Sequence, residues 1–197
     1  MKTTIGYKFI RDDMTSKNGD AGKWKVGVWK KMPADAELKL CKVGFHACEK
    51  PLDSLEYVYG DRWFKVEARG VIADDSDKFV ASEMRLLKEI PVKKVVVSFA
   101  CYAARLVLKN YEDKYPDDNR PRKAIEAAEL YAKHSTEKNR SAAWSAESAA
   151  WSAESAARSA AWSAAWSAAW SAARSAESAA KEKMNAELER LIKLYAR

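Results

Sequence analysis

Apolar and polar positions change rhythm once along this chain, near Val97. Before it, apolar residues recur at short and mixed intervals. Residues 4–10 (TIGYKFI) form a short β-rich run, and 14–22 (MTSKNGDAG) is turn chemistry. Residues 23–29 (KWKVGVW) set Trp24, Val26 and Val28 against polar neighbours with period two, the pattern of a half-buried strand. Residues 62–72 (RWFKVEARGVI) put Trp63, Lys65 and Glu67 on one face and Phe64, Val66 and Ala68 on the other. The apolar, β-branched run 92–99 (VKKVVVSF) reads as a further strand. Among these, 51–60 (PLDSLEYVYG) carries Leu52, Leu55 and Tyr59 at helical spacing, with Gly60 as a stop. Residues 1–97 therefore read as a small domain with a mixed sheet.

From Ser98 onward glycine disappears and the pattern turns helical. Phe99, Tyr102, Ala103, Leu106 and Val107 fall on one stripe. A loop follows, and a fresh helix start in which Asp118 or Asn119 can cap and Pro121 suits the first turn. A softer break lies at 133–141 (KHSTEKNRS). Nothing after it stops a helix, and about 56 unbroken residues would make a rod of roughly 84 Å. The fold class expected is α+β, with an all-α module, 98–197, behind the sheet domain.

Residues 141–180 hold 19 Ala, 11 Ser, 5 Trp, 3 Glu and 2 Arg. Alanine favours helix strongly enough to sustain this stretch by propensity alone. At 100° per residue Trp144, Trp151, Trp162, Trp166 and Trp170 lie at about 0°, −20°, 0°, 40° and 80°, one slowly winding stripe that Arg158 and Arg174 punctuate. Met184, Leu188, Leu191 and Tyr195 continue it at roughly 40°, 80°, 20° and 60°. The stripe reads first as a packing or assembly face that supplies the apolar area an Ala/Ser helix lacks. The sharper alternative is a ladder of rings and guanidiniums that stacks bases, sugars or a peptide.

Composition narrows the chemistry. The net charge is +7, shared between the halves: 19 basic against 15 acidic residues in 1–97, and 16 against 13 in 98–197. No basic block tracks a phosphate backbone, so nucleic acid is not an expected partner. No apolar run reaches membrane-spanning length and no signal pattern opens the chain, which points to a soluble, cytoplasmic protein. Three cysteines are too few for a disulfide framework. Cys41, His46 and Cys48 lie close in sequence, but a zinc site needs a fourth ligand or an open position beside three; no metal and no cofactor is expected. There is no Gly-rich phosphate loop and no Ser/His/Asp order. With His46 and His134 the only histidines, acid–base chemistry would fall to carboxylates, and their spacing nominates no pair.

Two stretches carry resemblances. Residues 99–133, with Tyr115, Pro116, Asp117, Asp118, Arg120, Pro121, Arg122, Ala124, Ile125 and Glu126, resemble a bacterial family of immunity proteins from toxin systems. The first half resembles an uncharacterised phage and bacterial domain through Tyr7–Lys8–Phe9, the LCKVGFHAC core at 40–48, and Val66 to Gly70. That same core looks distantly like the ADP-ribosyltransferases. This likeness implies an NAD site with Tyr7, His46, Tyr57 and Glu83 as its residues; the plain alternative for His46 is a hydrogen-bonded structural role.

The leading expectation is a non-enzymatic binding protein of phage or mobile-element type, immunity-like or anti-defence, acting on a protein partner or by helical self-association through the tryptophan stripe. The alternatives are a nucleotide-binding, transferase-like head and a tryptophan-ladder ligand binder.

Overall fold

The computed structural model of the chain describes residues 3–18, 22–58, 60, 62–74, 77–145 and 170–196, with backbone alone at 71–74, 107 and 170–179. The protein is α+β and forms two compact units: Met1–Val92 together with Leu188–Arg197, and Lys93–Glu187.

The first unit is built on strands β1 (Thr3–Ile10), β2 (Lys30–Lys31), β3 (Phe45–Ala47), β4 (Arg62–Asp74) and β5 (Phe79–Ile90), with a short helix α1 (Pro51–Ser54) running into a single 3-10 turn. The sheet order is β1-β4-β5-β2, and β3 also pairs with β5. Each of these ladders is antiparallel, rather than mixed; the one parallel pairing among the described residues is a lone bridge, Val26 to Leu86. Tyr7 and Cys48 exchange backbone hydrogen bonds of 2.7 and 3.0 Å. The path β1–β4–β5–β3 thereby returns to β1 and wraps a core.

That core holds Ile10, Trp24, Phe45, Phe64, Val66, Ala68, Phe79, Met84 and Leu86 among others. The alternation expected for 62–72 is present: Phe64, Val66 and Ala68 are fully buried on the inner face, while Lys65 and Glu67 on the outer face are half-buried. Gly6 is needed where the Cys48 strand crosses β1, since a Cβ there would lie 2.8 Å from both the Cys48 carbonyl and the Phe79 ring. On the outer side Phe9 stacks on Trp63, centroids 5.2 Å apart and nearly parallel. Trp63 donates to Ser54 Oγ at 3.1 Å. Leu188, Leu191 and Ile192 of the C-terminal segment are buried in this unit. Glu189 lies near enough to add its charge to the rise of the Tyr7 phenol to about 12, which is driven first by burial.

Three expectations are corrected. Residues 23–29 are not a strand: Trp24 is buried, but Val26 and Val28 are each 52% exposed. The segment touches β5 through Gly27 N–H to Leu86 O and the Val26 bridge, and only Lys30–Lys31 form a ladder. The β-branched run at 92–99 opens helix α2 (Val92–Lys114). The longest of the strands missing from the sequence reading is β5, written in helix formers such as SEMRLLKE.

In the second unit α2 and α3 (Arg120–Lys133) pack Cys101 and Leu108 against Ile125, with Val97, Ala104 and Ala128 beside them. This stripe differs from the expected one, for Leu106 is 48% exposed: the buried side of α2 is the one α3 meets. Arg105 and Glu129 close the pair through two hydrogen bonds, 2.6 and 2.9 Å. The turn between the helices is organised by Asp118, whose carboxylate accepts from Tyr111 Oη, from Arg120 Nε and Nη2, and from the Arg120 amide. A helix α4 is described over 137–145, after the break expected near His134, and α5 spans Trp170–Tyr195.

Candidate functional site

A cavity of about 800 Å³ opens on the first unit where β1, the 39–48 segment and the turn after α1 converge. Lys8, Lys17, Lys30, Lys31, Lys42 and Lys78 line it, and no carboxylate stands among its described lining residues. Of the four residues that the transferase likeness implies, Tyr7, His46 and Tyr57 share this lining. Glu83 does not; it sits on β5 opposite Arg69 and pairs with Lys31 at 3.1 Å.

The site is assembled by strand alternation. Lys8 sits on the face of β1 that also carries Gly6 and Ile10, in register with Phe64 of β4. Its Nζ donates to the His46 carbonyl at 2.8 Å. Burial beside this apolar core pushes the amine down to about 8, with Cys48 acting the other way. The Cys48 thiol is itself pushed up to about 12 by burial, with the charges of Asp77 and Asp53 adding to the rise.

His46 is hydrogen-bonded to the backbone of its own loop. Its Nε2 accepts the Cys41 amide at 2.8 Å. Burial, then the charge of Lys8, lowers its pKa, against hydrogen bonds with the Gly44 and Lys39 backbone. The ring thus holds the 39–44 loop, which turns through Cys41 at φ 61° and Gly44 at φ 121° and closes with the Lys39 and Val43 amides exchanging bonds of 2.9 and 2.8 Å. At Gly44 a side chain would run into Val80, so the loop cannot lift away there without losing its packing on β5.

Across the opening, the Tyr57 hydroxyl donates to Asp77 and accepts from Lys78 Nζ at 2.8 Å. The Lys78 ammonium also lies 4.7 Å from the Tyr57 ring centroid. The bond to Asp77 raises the Tyr57 pKa, and the bond to Tyr57 raises that of Lys78; both stay protonated at neutral pH. An aromatic ring with an attached cation therefore borders a cavity whose other walls are lysine-rich. An anion with a planar or phosphorylated group suits such a lining. No carboxylate among the described lining residues is placed to act as a general base.

The lysines had no signal in the sequence, where they read as solvated surface. Lys8 is the exception in principle, because it occupies an inward position of β1 between Gly6 and Ile10. Of the residues expected in the tryptophan stripe, Trp151, Arg158, Trp162 and Trp166 lie outside the described residues, as do the side chains of Trp170 and Arg174. Trp144 on α4 is 74% exposed. The C-terminal continuation of the stripe is buried at Leu188 and Leu191 and half-buried at Met184 and Tyr195. No helix among the described residues is long and apolar enough to cross a membrane.

No curated protein and no solved structure matches the chain. Residues 4–98, which carry β2 to β5, all of β1 but Thr3 and all the lining of the cavity, match the family model of a domain of unknown function, DUF7666.

Proposed function

We propose that the first unit is a non-enzymatic binding head for a phosphorylated small molecule of nucleotide class. The observation that carries this is the cavity itself: about 800 Å³, six lysines, no carboxylate in the described lining. Lys31 and Lys78 are partly offset by Glu83 and Asp77, but both of those acids stand outside the lining. The Tyr57 ring offers a surface for a base. Glu83, held by Lys31 and not among the lining residues, favours binding over ribosyl transfer.

The test is thermal shift and calorimetry on the full chain with pyrophosphate, ADP, NAD and ADP-ribose. Ligand at a hundred times its Kd adds about 2.7 kcal/mol of stability, and the effect should weaken with salt. Lys42→Glu, an exposed change in the wall, should weaken binding without unfolding the unit. No response to any of these anions at millimolar concentration refutes the reading.

A second reading concerns the repeat. The exposure of Trp144 and the immunity-family likeness of 99–133 support an assembly face for a protein partner, a toxin or defence component, or for a second copy of the chain. Light scattering on the wild type and on a variant with Trp162, Trp166 and Trp170 changed to Ala tests it. Unchanged mass and unchanged partner binding would sink it.

A further inference from the structure

We propose that Lys8 is a covalent capture site, whose amine condenses with the carbonyl carbon of a phosphorylated aldehyde held in the cavity. This rests on the reading of the cavity as a site for phosphorylated ligands.

The geometry comes first. Lys8 lines the cavity at the inward face of β1, and its Nζ is aimed by the 2.8 Å bond to the His46 carbonyl. That partner is neutral, so it orients the nitrogen without the charge that would hold it as an ammonium. Burial against the apolar core behind Lys8 disfavours the positive charge. The amine titrates at about 8. At pH 7 roughly a tenth of such amines are free base, against fewer than about one in a thousand for an ordinary lysine. A desolvated lysine is a recognised way to make an amine nucleophile.

The remaining lysines supply the other half of the arrangement. Lys42 and Lys78 share the lining and can hold a phosphate while the carbonyl approaches Lys8, which turns a bimolecular encounter into an intramolecular one. In the addition, the nitrogen lone pair forms the C–N bond and the carbonyl π pair moves to oxygen. A proton passes from nitrogen to that oxygen, giving a carbinolamine. The hydroxyl then leaves as water, taking the second nitrogen proton overall. Amine plus aldehyde gives imine plus water, with no oxidant, reductant or net proton. Cys48, the nearby thiol, does not compete, since burial keeps it protonated.

The experiment uses the full chain with less than one equivalent of pyridoxal 5′-phosphate, borohydride reduction and peptide mapping. Label on Lys8 should exceed label on the exposed Lys42 roughly tenfold or more. Excess pyrophosphate should suppress it, and pyridoxal lacking the phosphate should give little. Lys8→Arg keeps the charge and removes the nucleophile; it should lose the label. Wild-type mapping decides the matter even if that variant folds poorly. Label spread evenly over surface lysines overturns the proposal. If pyrophosphate stabilises the protein while Lys8 stays unlabelled, the capture site falls and the anion cavity stands. If pyrophosphate neither stabilises the protein nor protects Lys8, both fall.

Discussion

The guanidinium of Arg69 lies 4.0 Å from the centroid of the Trp29 ring. Arg85, diagonal to it across β4 and β5, lies 4.8 Å from the same ring and is also held by Glu67. Arg69 Nε is shut off from water without a hydrogen-bond acceptor among the described residues. The indole takes the place of that acceptor, and it pins the 22–32 segment, which carries Lys30 and Lys31 to the cavity.

Removing the indole should therefore cost both units of attraction. Trp29→Ala is expected to destabilise the protein by about 1–3 kcal/mol, measured by urea unfolding, and to weaken anion binding by loosening the Lys30–Lys31 wall. Trp29→Phe should recover part of each effect. A neutral Trp29→Ala would show that the ring merely rests on the sheet.

Alkaline pH should expose the buried thiol. The ordinary Cys pKa is 9.0, and that of Cys48 in the fold is about 12. Between these values the unfolded chain has lost a proton that the folded chain keeps, so stability falls as pH rises. Tyr7 acts in the same direction between 10.0 and about 12. Lys8 opposes them between about 8 and 10.5, where the unfolded chain holds the extra proton. The net fall should become steep above about pH 10.5, once Lys8 no longer compensates. In Cys48→Ala the drop in Tm between pH 8 and 11 should shrink; an unchanged drop would exclude Cys48 as its source.

Leu188 is fully buried in the sheet unit, with 95 residues between it and Val92, where that unit's first part ends. Leu188→Ala should cost about 2–5 kcal/mol, whereas Leu194→Ala, at a 44% exposed position, should stay within roughly 0.5 kcal/mol of wild type. Equal effects would mean that the segment does not pack as described.

Asp118 gathers Tyr111 and Arg120 at the α2–α3 turn, and the Arg120 guanidinium holds its carboxyl well below the usual range. Its contribution is present above the ordinary carboxylate pKa and lost as pH falls through the folded value. Asp118→Asn should lower the Tm of the helical unit at pH 7, and the gap from wild type should close as the solution is made strongly acid. A gap independent of pH would assign the effect to hydrogen bonding alone.

Where the sequence misled, local propensity and pairing disagreed. The run VKKVVVSF is β-branched yet helical, and SEMRLLKE is built of helix formers yet lies in β5. Period decided both cases: Val95 and Phe99 recur at four, while Met84 and Leu86 alternate inward beside Ala68 and Val66. In β4 propensity and period agreed, and that strand was legible. The candidate site was legible only in part. Tyr7, His46 and Tyr57 came from a family likeness, and the structure gathers them, though His46 serves the loop. The lysines that give the cavity its charge come from distant segments, and nothing local distinguishes Lys78 from a solvated lysine. Asp118 and Pro121 were legible because turn chemistry is local.

The return of residues 188–196 to the sheet unit has a consequence during synthesis. The strands through Ile90 are complete on paper when the ribosome has made fewer than half the residues, but the segment that buries Leu188, Leu191 and Ile192 follows only after Lys93–Glu187. At roughly 5–20 residues per second that interval lasts about 5 to 20 seconds. Throughout it the nascent head waits with an apolar face uncovered, a substrate for chaperones, and a message truncated within the repeat would leave it so permanently.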